Sequence, residues 1–80
     1  MMEVFVLIRT ENTDAAFSLI KPFMSLDKAK LELERLFQIE INEREHEKFI
    51  TISKTDDIMS AYLEDINGYI IHWCIKSLII

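Results

Sequence analysis

Between Ser25 and Glu47 the apolar residues recur at a helical period, as they do in no other long stretch of the chain. At about 100° per residue, Leu26, Ala29, Leu33, Leu36, Phe37 and Ile41 fall inside one arc roughly 140° wide, the width of a stripe that packs on a core. Ser25 suits the N-cap, Asp27 puts an acid in the first turn, and Pro22 stands just upstream, where a strand should end. Glu43, Glu45 and Glu47 would crowd the negative end of the dipole, so the helix is expected to give out near Asn42.

The segments around it read as strands. Glu3 to Arg9 is rich in Val, Ile and Phe without alternating in polarity: Val4, Val6 and Ile8 point one way, Phe5 and Leu7 the other. A central strand, apolar on both faces, fits that pattern. Thr10 to Asp14 is polar, holds Asn12 and suits a turn; Ala15 to Lys21 then returns as a second strand, which Pro22 confines to an edge. After the helix, Lys48 to Ser53 forms a short strand with Ile50 and Ile52 on one face, followed by a polar turn from Lys54 to Asp57.

Ile58 to Ile66 fits two structures. Ile58, Met59, Tyr62, Leu63 and Ile66 share a helical arc with Thr55 as cap and Gly68 as terminator. As a hairpin with a three-residue loop, Ile66 to Gly68, and Gly68 in the left-handed position, the segment instead pairs Met59 with Ile75, Ala61 with Trp73 and Leu63 with Ile71. The other face then pairs Ser60 with Cys74, Tyr62 with His72 and Glu64 with Ile70, so a single register sorts apolar from polar. The hairpin is the favoured reading. It gives an α+β fold, a single antiparallel sheet of four or five strands with one main helix packed on one face, in ββαββ order.

Eighty residues with one glycine and one proline leave little loop material, so one domain, residues 1–80, is expected. Cys74 has no second cysteine to pair with, and the N-terminus lacks the pattern of a signal peptide, which makes a reducing cytoplasm the expected setting. The apolar run Tyr69 to Ile80 is about half the length that spans a bilayer, and no membrane anchor is expected.

The net charge of −5 lies entirely between Glu40 and Asp65, where eight acids face three bases. Direct nucleic-acid binding needs the opposite sign. A basic surface on a larger protein is the more natural partner, and Glu40, Glu43, Glu45, Glu47, Asp56 and Asp57 are the candidate contacts; a solvated acidic surface is the plainer alternative. Leu31, Arg35 and Ile39, spaced i, i+4, i+8 on the outer side of the helix, form a second candidate ridge.

Catalytic chemistry finds little support. His72 and Cys74 share a strand face, but neighbours two apart stand roughly 7 Å from each other, too far for an unstrained nucleophile pair. His46 lacks the partner of an H-E-x-x-H helix because position 50 is Ile, and one glycine cannot build a phosphate loop. Glu43, Glu45 and Glu47 share a face only if extended. No enzyme activity, metal or cofactor is expected. The partly polar face of Ser60, Tyr62, His72 and Cys74 is the alternative site, for a small ligand, with Trp73 beside it read mainly as core.

A Val-rich opening strand, a hairpin return, a helix beginning Ser-Leu-Asp-Lys-Ala-Lys (Ser25 to Lys30) and a closing Tyr-Ile-Ile-His-Trp-Cys-Ile-Lys (Tyr69 to Lys76) resemble small uncharacterised ββαββ proteins of bacterial and phage genomes. That resemblance implies no activity and carries no functional residues. It does suggest a setting: a phage-type inhibitor occupying the surface of a host defence or nucleic-acid-handling protein. One helix covers one sheet face, while Phe5 or Val6, Ile20, Ile70, Leu78 and Ile80 leave apolar surface on the other, so a homodimer or other partner is expected there. The leading expectation is therefore a small acidic protein-binding module. The alternatives are a sensing domain around Tyr62 and His72 and a purely structural subunit.

Overall fold

The computed structural model describes residues 2–12, 17–43 and 49–80. Within them the order is β1 (Glu3–Glu11), β2 (Phe17–Phe23), α1 (Leu26–Glu43), β3 (Phe49–Lys54), β4 (Ser60–Asp65) and β5 (Ile70–Ile79). The strands make one antiparallel sheet in the order β2-β1-β5-β4-β3, so the first and last strands lie side by side at its centre. The chain crosses from one edge strand to the other by way of α1.

Side-chain parity explains where the core sits. Leu7 of β1, Ala61 and Leu63 of β4, and Ile71, Trp73 and Ile75 of β5 all point to the same face, where they bury against Ala29, Leu33 and Phe37 of α1. Leu26, Leu36 and Ile41 flank that contact, so the whole sequence-derived stripe lies on the sheet. Phe37 meets Trp73 edge-on with ring centroids 5.5 Å apart, and Ala61 opposite Trp73 leaves room for the indole. Ser25 caps α1, its Oγ accepting from the Lys28 amide at 3.4 Å.

The segment with two possible structures is a strand. The β4–β5 register pairs Ala61 with Trp73, Leu63 with Ile71 and Tyr62 with His72, and the Ile75 amide bonds the Met59 carbonyl at 2.9 Å. The loop has three residues, Ile66 to Gly68: Asp65 N–H donates to the Tyr69 carbonyl, and Gly68 adopts φ +83°, which costs a side-chain-bearing residue about 1 kcal/mol or more. Asp65 is only 6% exposed because its Oδ1 accepts from the Asn67 and Tyr69 amides at 2.8 and 3.0 Å. Asn12 does more than turn the chain. Its Nδ2 donates to the Gly68 carbonyl and its Oδ1 accepts from the Ile70 amide, stapling the end of β1 to this loop.

Among the described residues, three ion pairs link the helix to the sheet. Glu32 bonds Lys21 on edge strand β2, Glu34 meets Lys54 on edge strand β3 at 3.1 Å, and Glu40 meets Arg9 on β1 at 3.0 Å. Bonds from Arg35 and then Lys21 hold the Glu32 carboxyl down at about 2, against an ordinary 4.5. A depressed carboxylate contributes stability that is complete above its unfolded pKa and lost as pH falls through the folded one. The urea midpoint should therefore decline between about pH 4.5 and pH 2, and Glu32→Gln should flatten the decline in that window.

β2 continues through Pro22 to Phe23 rather than ending before it. Pro22 faces Val6, and Val6 turns its backbone groups to Lys76 of β5, so the missing N–H of Pro22 would have pointed to solvent. The expected Ile50–Ile52 face is interrupted by a bulge between Phe49 and Thr51; Ile52 pairs with Leu63 on the helix side yet remains exposed at the edge.

Candidate functional site

Pairing β1 with β5 assembles the face that α1 leaves open. Reading across the strands, Val4 stands beside Leu78; Pro22, Val6 and Lys76 form the next row; Ile20, Ile8, Cys74 and Ser60 the next. Then come Thr10, His72, Tyr62 and Ser53, followed by Ile70, Glu64 and Thr51. One half of the face, over β2, β1 and β5, is thus mostly apolar. The other half, toward β4 and β3, is polar. Phe5, one of the residues expected on this side, instead packs against the core, its parity being that of Leu7.

The polar half is internally bonded. Ser60 Oγ lies 3.4 Å from His72 Nε2, and Tyr62 donates to Glu64 Oε1 at 3.0 Å, a bond that raises the phenol's pKa by stabilising its protonated form. Ser60, Tyr62, His72 and Cys74 all show on this face, each partly buried by its neighbours, whereas Trp73 is fully buried on the helix side. Among the described residues no group of three or more His, Cys, Asp or Glu side chains is placed to hold a metal ion. A cavity of about 140 Å³ lined by Val4, Pro22, Phe23 and Met24 is well below the roughly 300 Å³ at which small-molecule pockets begin.

The acidic candidates are dispersed. Glu40 is bonded to Arg9, whose guanidinium also holds Glu11 and lies 5.7 Å from the Trp73 ring centroid. Burial works to lower the Arg9 pKa, but the Glu11 bond and the charges of Glu40 and Glu11 outweigh it, and the net shift is upward. Asp57 closes its own turn: the Thr55 hydroxyl first, then the Met59 amide, lower its pKa. Glu43 ends α1 and Asp56 stands exposed in the turn after β3. Glu45 and Glu47 lie outside the described residues. On the outer side of α1, Leu31 is 67% exposed, Arg35 is bonded to Glu32 and Ile39 is partly buried, so the ridge exists as a line of side chains broken by an ion pair.

No family model matches the chain, and no curated protein or solved structure matches it. The site is therefore read from its own geometry. Among the described residues no helix is long and apolar enough to cross a membrane.

The sequence groups Val4, Val6 and Ile8 on one side of β1 and expects Phe5 or Val6, Ile20, Ile70, Leu78 and Ile80 on the open face, but it does not join the two sets. Strand parity alone groups Val4, Val6, Ile8 and Thr10. What was missing was the neighbour, because nothing local says that β1 lies against β5.

Proposed function

We propose that the chain is a small non-enzymatic protein-binding module that lays its open sheet face against a larger protein, one presenting an apolar strip beside basic residues. The observation that carries this reading is the graded face itself, with Val4, Val6, Ile8, Ile20 and Pro22 at one side and Tyr62, Glu64 and His72 at the other. The sixteen residues in the rows of this face, with strands about 4.8 Å apart and double steps of about 6.8 Å, present roughly 520 Å². That is about two thirds of the roughly 800 Å² per partner of a standard interface. The net charge of −5 favours a basic partner, as an inhibitor seated on a host defence or nucleic-acid-handling protein would require. Glu40, Asp57, Glu64 and Asp65 have partners inside the fold, so the apolar half is the larger contributor and the charge sets approach and orientation.

Capture from native lysate with matched variants tests this. Proteins held by the wild type should be lost with Val6→Asp plus Ile20→Asp, retained with Leu31→Glu, and held with moderate salt sensitivity that Glu43→Gln, Glu45→Gln and Glu47→Gln reduce. Equal retention by wild type and the double Asp variant contradicts the reading.

A second reading, a small-ligand sensing domain, is favoured by one observation: the bonded Ser60–His72 and Tyr62–Glu64 pairs on the open face. A metabolite that raises the melting temperature of the wild type but not of Tyr62→Ala would decide for it.

A further inference from the structure

β5 is ten residues long and β4 only six, so much of one side of β5 has no strand neighbour among the described residues. Pairing with β4 covers Ile70 to Cys74, and one more bond joins the Ile75 amide to the Met59 carbonyl. On its other side β5 pairs with β1 along its full length, Glu3 to Glu11. Backbone groups in an antiparallel ladder alternate in direction. Met2 and Ile80 exchange both bonds at 2.8 Å, so Ile80, Leu78 and Lys76 turn toward β1 while Ile79, Ser77 and Ile75 turn toward the β4 side. The bond from Ile75 to Met59 agrees with that parity. The N–H and C=O groups of Ser77 and Ile79 consequently face no strand among the described residues. Around them Leu78, Ile79 and Ile80 are 53, 60 and 67% exposed, and Lys76 is the one charged side chain from Ile75 to Ile80. An apolar edge of this kind is a template for another strand.

We propose that this edge pairs with a second copy of the chain, β5 against β5, antiparallel about a two-fold axis at Leu78. The register follows from what is already occupied. Met59 fills the place opposite Ile75, so a partner strand begins no earlier than Lys76. Setting the partner's Ile80 opposite Lys76 places Ser77 opposite the partner's Ile79 and Leu78 opposite the partner's Leu78. Both outward residues of each copy then exchange their bonds, four in all. No charge opposes its own kind, whereas a register that set Lys76 against the partner's Lys76 would also drive the partner's Ile79 into β4. Five residues a side bury less than the roughly 1,200 Å² of a stable interface, so the dimer is reversible and concentration-dependent. The contact uses a backbone edge and not the open face, so it stands or falls separately from the binding reading, and the Val6 and Ile20 variants leave it intact.

Sedimentation velocity between about 10 µM and 1 mM, with amide exchange measured by NMR at both ends of that range, tests it. The mass should rise from 9.5 kDa toward twice that value. The Ser77 and Ile79 amides should gain about tenfold in protection at high concentration, while those of Lys76 and Leu78, bonded to β1, stay unchanged. Ser77→Pro removes the outward N–H together with the hydroxyl that donates to Glu3, so Ser77→Ala, which loses only the hydroxyl, is its control; Ile79→Lys adds a charge at the seam. Ser77→Pro and Ile79→Lys should each keep the circular dichroism spectrum and abolish the mass increase, and Ser77→Ala should keep both. A single-chain mass throughout, a mass increase that survives both variants, or Ser77 and Ile79 exchange independent of concentration would overturn the proposal.

Discussion

Trp73→Ala should destabilise the fold by about 3–5 kcal/mol, a large fraction of what an 80-residue domain has, and leave a substantial unfolded population at room temperature. Trp73 is fully buried and meets Phe37 edge-on, Arg9 lies near its ring, and Ala61 is its partner across the ladder. Truncation removes the Phe37 and Arg9 contacts and leaves a cavity between α1 and the sheet that the surrounding core fills only in part. The indole N–H has no acceptor among the described residues, so Trp73→Phe removes an unsatisfied donor while keeping most of the volume. Its cost should be less than half that of the alanine. Urea unfolding followed by far-ultraviolet circular dichroism reads both, with Tyr62→Ala on the open face as a control expected below about 1 kcal/mol. Equal costs for Trp73→Ala and Tyr62→Ala would contradict the assignment of one covered and one open face.

Asp65→Ala should cost about 2–4 kcal/mol, because it leaves the Asn67 and Tyr69 amides without their acceptor in a loop that fixes the register of β4 against β5. The interest lies in the contrast with Asp65→Asn. Asparagine keeps an oxygen in the Oδ1 position and exchanges Oδ2 and its charge for an amide NH2, so its cost should stay at about 1 kcal/mol. If the two variants were equally damaging, the carboxylate charge rather than its acceptor geometry would be the stabilising feature. In the sequence Asp65 is only one of the eight acids between Glu40 and Asp65. Only the hairpin loop, once formed, turns it inward.

The parts of the fold that were legible in the chain rest on periodicity. The α1 stripe was complete because six apolar residues at a helical period leave one rotational setting. The β4–β5 register was legible because a one-residue slip would have sent Leu63 and Trp73 to the open side. The adjacency of β1 and β5 was not legible, since it joins residues sixty or more positions apart without any pattern that names the partner. Arg9 shows the same limit. An arginine at the end of an apolar strand reads as the strand's exit, yet it points to the buried side and is satisfied by Glu11 and by Glu40 on the helix. The acidic segment appeared continuous in sequence for the converse reason: charge was counted along the chain, and folding sent Glu40 to Arg9, Glu64 to Tyr62 and Asp65 into its loop.

The open face carries the chain's one cysteine, Cys74, between Ile8 of β1 and Ser60 of β4. Alkylating it with a bulky maleimide therefore tests most directly whether this face is the working surface. The labelled protein, its circular dichroism spectrum unchanged, should lose the proteins that the unlabelled protein captures, and prior capture should slow the labelling. Labelled protein that folds and still captures the same proteins would show that they bind elsewhere.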